Sequence, residues 1–165
     1  MTLEETYGTR PDLLPRSMVR LARTEQREGR KLTWVGRPDV LLLDLDQHLR
    51  YEHESLGRFP RHSDGTIAWA EVSADLVLVS TDEDTADLDA LIRQHCAGAK
   101  GLVVFWGSLA LPSAQLPLGA ALSHLSQITD SHPEFWIYDP EDSVLMENTF
   151  AGRVTVARVP TDTES

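Results

Sequence analysis

The residues best suited to chemistry follow a short apolar stretch in the first third of the chain. In "DVLLLDLDQHL" (39–49), Asp44 comes directly after four aliphatic residues and Asp46 stands two positions later. Two carboxylates in this arrangement could hold Mg²⁺ and supply a nucleophile for phosphoryl transfer. The same residues favour turns, because an Asp side chain accepts hydrogen bonds from the backbone two residues further on. The stretch therefore supports two interpretations, a catalytic site and a bend.

The order of polar residues along the chain resembles that of the haloacid-dehalogenase-like phosphatases. In that family, apolar strands end in Asp-x-Asp, then in Ser or Thr, and finally in acidic residues. Here the hydroxyls at 80–81 end "LVLVST", and Asp139 ends "FWIYD". The resemblance implies that Asp44 is a nucleophile, Asp46 an acid or base, and Asp139 a magnesium ligand.

Two features make the bend the favoured interpretation and the phosphatase the alternative. Gln47 follows Asp46 where that family has glycine, the residue that allows a tight backbone turn beside the phosphate. The stretches "LLLDLDQHLRYEH" and "WIYDPEDSVLMEN" also share one pattern, in which an apolar strand leads to an acidic turn and a second strand. We therefore expect Asp139-Pro140-Glu141-Asp142 to be a hairpin turn, since Pro suits its second position.

Charge is distributed unevenly along the 165 residues. Residues 1–60 hold ten basic and ten acidic side chains, whereas residues 61–165 hold five and sixteen, so the second part carries the whole net charge of −11. Such a field repels nucleic acid and anionic membranes and attracts basic proteins.

Other sequence features exclude several classes of protein. The single cysteine, Cys96, excludes an internal disulfide, and its place late on a predicted helix favours an inert thiol. No apolar run approaches the roughly 18–20 residues that cross a bilayer, and the acidic N-terminus lacks the apolar core of a secretory signal. The chain has no phosphate-binding glycine loop and no zinc-binding histidine pair. We expect a cytoplasmic protein without a cofactor or a metal site.

Periodicity predicts an α/β or α+β fold in a single domain, 1–165, with loosely ordered ends at 1–12 and 160–165. We predict a mixed sheet with a central βαβ unit, an N-terminal helix and C-terminal antiparallel strands. Helices are predicted over 12–28, 81–98 and 118–128. Strands are predicted over 31–36, 38–46, 48–55, 66–72, 74–81, 101–107, 134–139, 142–148 and 152–159. The stretch "SLALPSAQLP" (108–117) is predicted to be an apolar loop, because it contains two prolines.

Size, acidity and the absence of a clear catalytic set favour a binding module without catalysis. The C-terminal stretch 103–148, with "VVFWGSLALPS" and "WIYDPEDSVLMEN", resembles the small acidic immunity proteins encoded beside bacterial polymorphic or contact-dependent growth-inhibition toxins. Such toxins are often basic nucleases, and the inhibitor blocks their active site with carboxylates. The resemblance implies a basic protein partner, possibly a cognate toxin domain, with no nucleic acid and no membrane as partner.

The candidate partner-binding residues are acidic side chains at a predicted helix start and a predicted turn, together with one aromatic anchor. They are Asp82, Glu83, Asp84, Asp87, Trp106, Asp139, Glu141 and Asp142. Carboxylates would steer a basic partner to rapid encounter, and the aromatic anchor would slow its dissociation.

An alternative class is a regulatory or scaffold domain. Five arginines share one side of the predicted helix 12–28 and its end, within a wedge of about 80°. They are Arg16, Arg20, Arg23, Arg27 and Arg30. This ridge could meet a partner or the acidic part of the same chain.

Overall fold

A seven-stranded antiparallel sheet organises the chain. A computed structural model describes residues 40–43, 45–82, 87–107, 113–131, 134–149 and 152–160. The strands are β1 (Leu41–Leu42), β2 (Val77–Asp82), β3 (Gly101–Trp106), β4 (Ala114–Pro117), β5 (Phe135–Asp139), β6 (Val144–Asn148) and β7 (Arg153–Arg158). Their order across the sheet is β1-β4-β3-β5-β6-β7-β2, and every neighbouring pair is antiparallel.

Within the described ranges, four helices and three short 3₁₀ turns accompany the sheet. The helices are α1 (Leu45–Glu54), α2 (Leu88–His95), α3 (Leu118–Ser123) and α4 (Leu125–Ser131). The 3₁₀ turns are Leu56–Arg58, Trp69–Glu71 and Ala74–Leu76. Helices packed on an antiparallel sheet confirm the α+β class.

The sheet has one core on each face, because successive strand side chains point to opposite sides. The helix-side core contains Ile92 of α2, Ala121 of α3 and Ile128 of α4. The turn-side core contains Leu56 and Ile67 from the segment between α1 and β2, with Tyr51 of α1 packed against it. Both faces of the central strands β5 and β6 are therefore buried.

The C-terminal strands and their turn confirm the sequence analysis. β5 and β6 pair from Phe135 opposite Asn148 to Asp139 opposite Val144, with residues 140–143 forming the turn. Asp139 Oδ1 accepts hydrogen bonds from the backbone N–H groups of Glu141 (3.0 Å) and Asp142 (3.4 Å). Both flanks of the turn are extended, as we predicted.

The mixed sheet and its parallel βαβ unit were wrong. β2 and β3 run in the same direction, but β5, β6 and β7 lie between them. The helix α2 therefore carries the chain across the sheet from its edge to its centre. Our prediction assumed that two strands joined by a helix pair with each other. Here β2 pairs instead with β7, which is distant from it in the sequence.

Local predictions failed where prolines or polar residues hid the pattern. The predicted strand 48–55 is helix α1, so the bend we favoured at 39–49 does not lead into a returning strand. The predicted strand 66–72 is a single bridge at Ile67 followed by a 3₁₀ turn. The predicted loop 108–117 contains strand β4. The helix predicted from 81 begins at Leu88.

Several predictions lie outside the described residues. They are the arm at 1–12, the helix at 12–28 with its arginine ridge, the strand 31–36, Asp44, Glu83 and Asp84.

Candidate functional site

The predicted acidic residues lie at opposite ends of the sheet. Asp82 ends β2 opposite Arg153, at the end of the sheet where β5 begins with Phe135. Asp139 ends β5 at the other end. Four residue steps at about 3.4 Å separate those two ends of β5, so on the order of 14 Å divides the two groups along the strands. Asp82 and Asp139 therefore lie in two separate groups rather than on one surface.

The edge cluster is defined by sequence as Asp82, Glu83, Asp84 and Asp87, of which Glu83 and Asp84 lie outside the described residues. Asp82 belongs to strand β2, and Asp87 is the N-cap of α2. The exposed Asp87 carboxylate accepts a hydrogen bond from the backbone N–H of Ala90 (3.1 Å). This bond satisfies one of the free backbone N–H donors at the start of α2.

The turn cluster comprises Asp139, Glu141 and Asp142, and its members differ in exposure. Glu141 and Asp142 are exposed, whereas Asp139 has 0% exposure and cannot contact a partner. The Asp139 Oδ2 atom has no hydrogen-bond partner among the described residues. Burial raises the pKa of the Asp139 carboxyl, although the two backbone hydrogen bonds at its Oδ1 oppose the shift. Asp139 therefore shapes the turn, and its assignment as a binding residue was wrong.

Cys96 lies next to the turn cluster and is inert. Its side chain is buried at the end of α2. Burial, together with the nearby Asp139 and Asp142 carboxylates, raises the pKa of the Cys96 thiol to about 12. The thiolate, which is the reactive form, is therefore absent at neutral pH.

Trp106 is not an exposed anchor. It has 7% exposure, belongs to the helix-side core, and donates its indole N–H to the backbone oxygen of Ile128 (3.0 Å). This bond ties β3 to α4. Core packing, which is the common role of tryptophan in a strand, explains the burial of Trp106.

The described residues of the phosphatase pattern, which exclude Asp44, do not come together. Asp46 lies in the first turn of α1, directly after β1 at one edge of the sheet, whereas the hydroxyls at 80–81 lie on β2 at the other edge. Six strand spacings of about 4.8 Å place those edges roughly 29 Å apart. Asp139 lies near the middle of the sheet, at its opposite end. No set of three or more His, Cys, Asp or Glu side chains in the described ranges is arranged to hold a metal ion.

The structure shows a buried carboxylate that sequence reasoning missed. Glu147 on β6 has 1% exposure and accepts three hydrogen bonds of 2.8 Å. The donors are the backbone N–H of Ile67 and the indole N–H groups of Trp69 and Trp136. These hydrogen bonds satisfy both carboxylate oxygens of Glu147. They also join the segment that contains Ile67 and Trp69 to the sheet. Its signal was a lone Glu in the apolar strand "VLMEN", because a carboxylate that is buried in such a strand needs hydrogen-bond donors.

A second missed set is a hydrogen-bonded chain of Ser113, His48 and Glu52. His48 Nδ1 is hydrogen-bonded to Ser113 Oγ, and His48 Nε2 lies 2.9 Å from Glu52 Oε2. Because the carboxylate accepts from Nε2–H, the neutral ring presents Nδ1 as the acceptor for the Ser113 hydroxyl. Arg61 lies 3.3 Å from the other Glu52 oxygen. The His48 hydrogen bond lowers the pKa of Glu52, which outweighs the opposing effect of its partial burial.

The order serine, histidine, carboxylate is also that of acyl-transfer enzymes. Ser113, however, has 3% exposure and its backbone oxygen accepts from the N–H of Leu43 (2.8 Å). A nucleophile must reach a substrate, and this hydroxyl faces the protein interior. The hydrogen-bonded chain instead fastens α1 to the start of β4. His48 and Glu52 share a helix face at i and i+4, which is the only sequence signal for this set.

Comparisons with known proteins leave the function to be argued from the chain's own residues. No protein-family model matches the chain, and no curated protein matches it. Among the described helices, none combines the length and the apolar character that crossing a membrane requires.

Proposed function

We propose that this protein is a non-catalytic binding module for a basic protein, acting in the cytoplasm as an immunity protein that neutralises a toxin. The observation that carries the proposal is an excess of exposed carboxylates without a cationic partner. Within the described ranges, these side chains form no ion pair: Asp46, Glu71, Asp75, Asp87, Glu141 and Asp142. Carboxylates on a rigid fold can occupy the positions that nucleic-acid phosphates take on a basic enzyme.

The buried polar groups support the same proposal. Glu147 is saturated by three N–H donors, and Ser113 is enclosed. Both sets stabilise the fold, so neither supplies a reactive group at the surface. Exposed charges set the rate and selectivity of association.

Measurement of association kinetics against a captured partner tests the proposal. The partner is obtained by pull-down from the native host, and its binding rates are measured by interferometry from about 50 to 500 mM salt. We expect the association rate to fall steeply with salt, because exposed charges are screened beyond about 8 Å at physiological ionic strength. An acidic partner, or an association rate that ignores salt, would contradict the proposal.

Charge-removing variants locate the binding surface. One variant replaces the four carboxylates of the edge cluster by amides, and a second carries Glu141→Gln and Asp142→Asn. Glu71→Gln with Asp75→Asn is the matched control, because it removes two exposed charges outside both clusters. We expect one cluster variant to slow association and the control to leave it unchanged. Co-expression with a toxic partner should restore growth in the wild type and less so in that cluster variant.

A further inference from the structure

The loop between Arg61 and Ile67 contains the one Asp-Gly pair in the sequence. An antiparallel bridge joins Arg61 to Ile67, and the Gly65 N–H donates to the His62 oxygen (3.0 Å), which closes a turn inside the bridge. Gly65 has a φ of 94°, in the left-handed region that favours glycine. Because Gly65 has no side chain, nothing on this residue shields its backbone nitrogen from the Asp64 carboxyl.

An Asp-Gly pair can rearrange without an enzyme. The glycine nitrogen attacks Cγ of the protonated aspartic acid, and the carboxyl hydroxyl leaves as water together with the amide proton. The product is a five-membered succinimide ring. Water then opens the ring: attack at the main-chain carbonyl gives isoaspartate, in which the backbone runs through Cβ and Cγ, and attack at Cγ restores aspartate. The water that is lost is regained, so the conversion needs no other reactant.

Thr66 disfavours the form of Asp64 that this reaction requires. Asp64 Oδ1 accepts hydrogen bonds from the Thr66 hydroxyl (2.6 Å) and from the Thr66 backbone N–H (2.9 Å). These two bonds, the hydroxyl bond more than the backbone bond, lower the pKa of the exposed Asp64 carboxyl. A carboxylate anion repels the attacking nitrogen and has no hydroxyl to lose as water. The Thr66 contacts therefore slow ring closure as long as the loop keeps this conformation.

The closed loop also restrains the nucleophile. The Gly65 N–H is bonded to the His62 oxygen, and the Gly65 oxygen accepts from Arg61 Nε (2.8 Å). The Arg61 guanidinium in turn lies 3.3 Å from Glu52 of α1. Ring closure moves the Gly65 nitrogen toward Asp64 Cγ and removes its proton, so it breaks the bond to His62. Opening of the loop must therefore precede the chemistry.

The loop is connected to the Glu147 site through Ile67. The Ile67 N–H donates to Glu147 (2.8 Å), and Ile67 is paired with Arg61 at the base of the loop. Isoaspartate adds one atom to the backbone between residues 64 and 65, because it moves the side-chain carboxyl carbon into the main chain. The turn and the bridge below it then lose their spacing. A converted loop cannot restore the geometry that presents Ile67 to Glu147.

We propose that Asp64 is a site of spontaneous isoaspartate formation, which Thr66 restrains while the loop is closed and which makes opening of the loop irreversible. The modification needs only water, so its rate reports how often the loop opens. The product carries a free main-chain carboxylate, and a methyltransferase that recognises isoaspartyl groups is the class of enzyme that would act on it. This modification is independent of the proposed binding function, because it uses none of the candidate binding residues.

Thr66→Val tests the restraint, because it removes the hydroxyl donor and keeps the backbone N–H. Both proteins are incubated in the folded state at neutral pH and digested, and isoaspartate in the peptide that contains residue 64 is quantified by electron-transfer mass spectrometry. We expect isoaspartate to accumulate about fivefold faster in Thr66→Val than in the wild type. Asp64→Glu is the control for the assignment, since glutamate does not close the five-membered ring, and its peptide should contain no isoaspartate.

A second aspartate separates loss of the Thr66 bond from general unfolding. Asp142, which precedes Ser143 on the turn between β5 and β6, is exposed and lies in another peptide of the same digest. Thr66→Val should leave isoaspartate at Asp142 unchanged, and a parallel rise there would count against a local role of Thr66. Equal rates at Asp64 in the two folded proteins would overturn that role.

Unfolding in urea measures the restraint that the whole loop supplies. Urea opens the loop in every molecule, so wild type and Thr66→Val should then form isoaspartate at the same rate, and faster than the folded wild type. A folded wild type that reacts as fast as the unfolded chain would show that the loop supplies no restraint, and the proposal would be wrong.

Hydrogen exchange tests the consequence for the Glu147 site. The isoaspartyl form is separated by ion-exchange chromatography, and exchange of its Ile67 amide is compared with that of Leu145 on β6. We expect the Ile67 amide to exchange at least about tenfold faster than in the unmodified protein, and the Leu145 amide to remain unchanged. An Ile67 amide that exchanges at the unmodified rate would overturn the irreversible opening.

Discussion

Glu147 and Asp139 are buried carboxylates on neighbouring strands, and their environments differ in the origin of their hydrogen bonds. The donors to Glu147 lie 80, 78 and 11 residues away along the chain. The donors to Asp139 lie two and three residues ahead. Glu147 therefore joins distant parts of the molecule, whereas Asp139 shapes its own turn.

The two sites also differ in how completely the carboxylate is satisfied. Both oxygens of Glu147 accept hydrogen bonds, whereas Asp139 Oδ2 has no partner in the described part of the chain. A buried carboxylate without full hydrogen bonding favours its neutral form. The difference indicates that three hydrogen bonds compensate for the burial of Glu147, whereas the raised pKa of Asp139 favours its protonated form.

Removal of Glu147 should have the largest effect on stability. Glu147→Ala leaves three buried N–H donors unsatisfied and opens a cavity, so we expect a loss of about 3–5 kcal/mol in the free energy of unfolding. Chemical denaturation monitored by tryptophan fluorescence measures the loss. Glu141→Gln, an exposed position on the adjacent turn, is the control. A loss below about 1 kcal/mol would show that the three hydrogen bonds contribute little.

Removal of single donors should divide that effect between the two indoles. Trp69→Phe and Trp136→Phe each keep an aromatic ring and delete one N–H to Glu147. We expect losses of about 1–2 kcal/mol for the half-buried Trp69 and about 2–3 kcal/mol for the buried Trp136, which also loses packing volume. A double-mutant cycle with Glu147→Gln measures the coupling. Additive losses would contradict a shared hydrogen-bonded site.

The same contrast explains what the sequence could predict. The turn at Asp139 was predictable, because its signal lies within four residues. The strands β3, β5, β6 and β7 were also predictable from runs of aromatic and β-branched residues. The partners of Glu147 were not, since nothing local connects position 147 to Ile67 or Trp69.

Helix α1 shows why a local pattern can mislead. Its inward-facing side chains include His48, Tyr51 and Glu52, at helical spacing but mostly polar. Leu49, the aliphatic residue of this helix with a described side chain, is exposed. Apolar periodicity, which is the main signal for a helix, is therefore absent there.

Of the candidate binding residues, Asp87, Glu141 and Asp142 have the expected exposure. The burial of Trp106 and Asp139 depends on the order of the strands in the sheet, which the sequence does not show.

The hydrogen-bonded chain at His48 provides a carboxylate whose pKa is shifted in the opposite direction. The lowered pKa of Glu52 means that its contribution to stability is present above the ordinary carboxyl pKa and is lost as pH falls through the lowered value. We expect His48→Ala to lower the free energy of unfolding by about 1 kcal/mol at pH 7, since Glu52 is one-third exposed, and to reduce the loss of stability at acid pH.

A serine-directed fluorophosphonate should not label Ser113. Labelling that disappears in His48→Ala would establish an acyl-transfer site.

The smallest effect concerns the charge on Asp139, and pH gives its sign. Because burial raises the pKa of Asp139 in the folded protein, its contribution to stability is full below the unfolded carboxyl pKa and is lost as pH rises through the folded value. Asp139→Asn keeps the Oδ1 acceptor and has no charge. We expect it to match the wild type near pH 3 and to gain stability relative to the wild type as pH rises to 7.

Denaturation of both proteins across that range measures the difference, and Asp139→Ala separates charge from hydrogen bonding. The alanine variant loses the acceptor for the turn at every pH, at a cost of about 1 kcal/mol. A difference between wild type and Asp139→Asn that does not change with pH would show that Asp139 is as well satisfied as Glu147. The contrast between the two buried carboxylates would then be wrong.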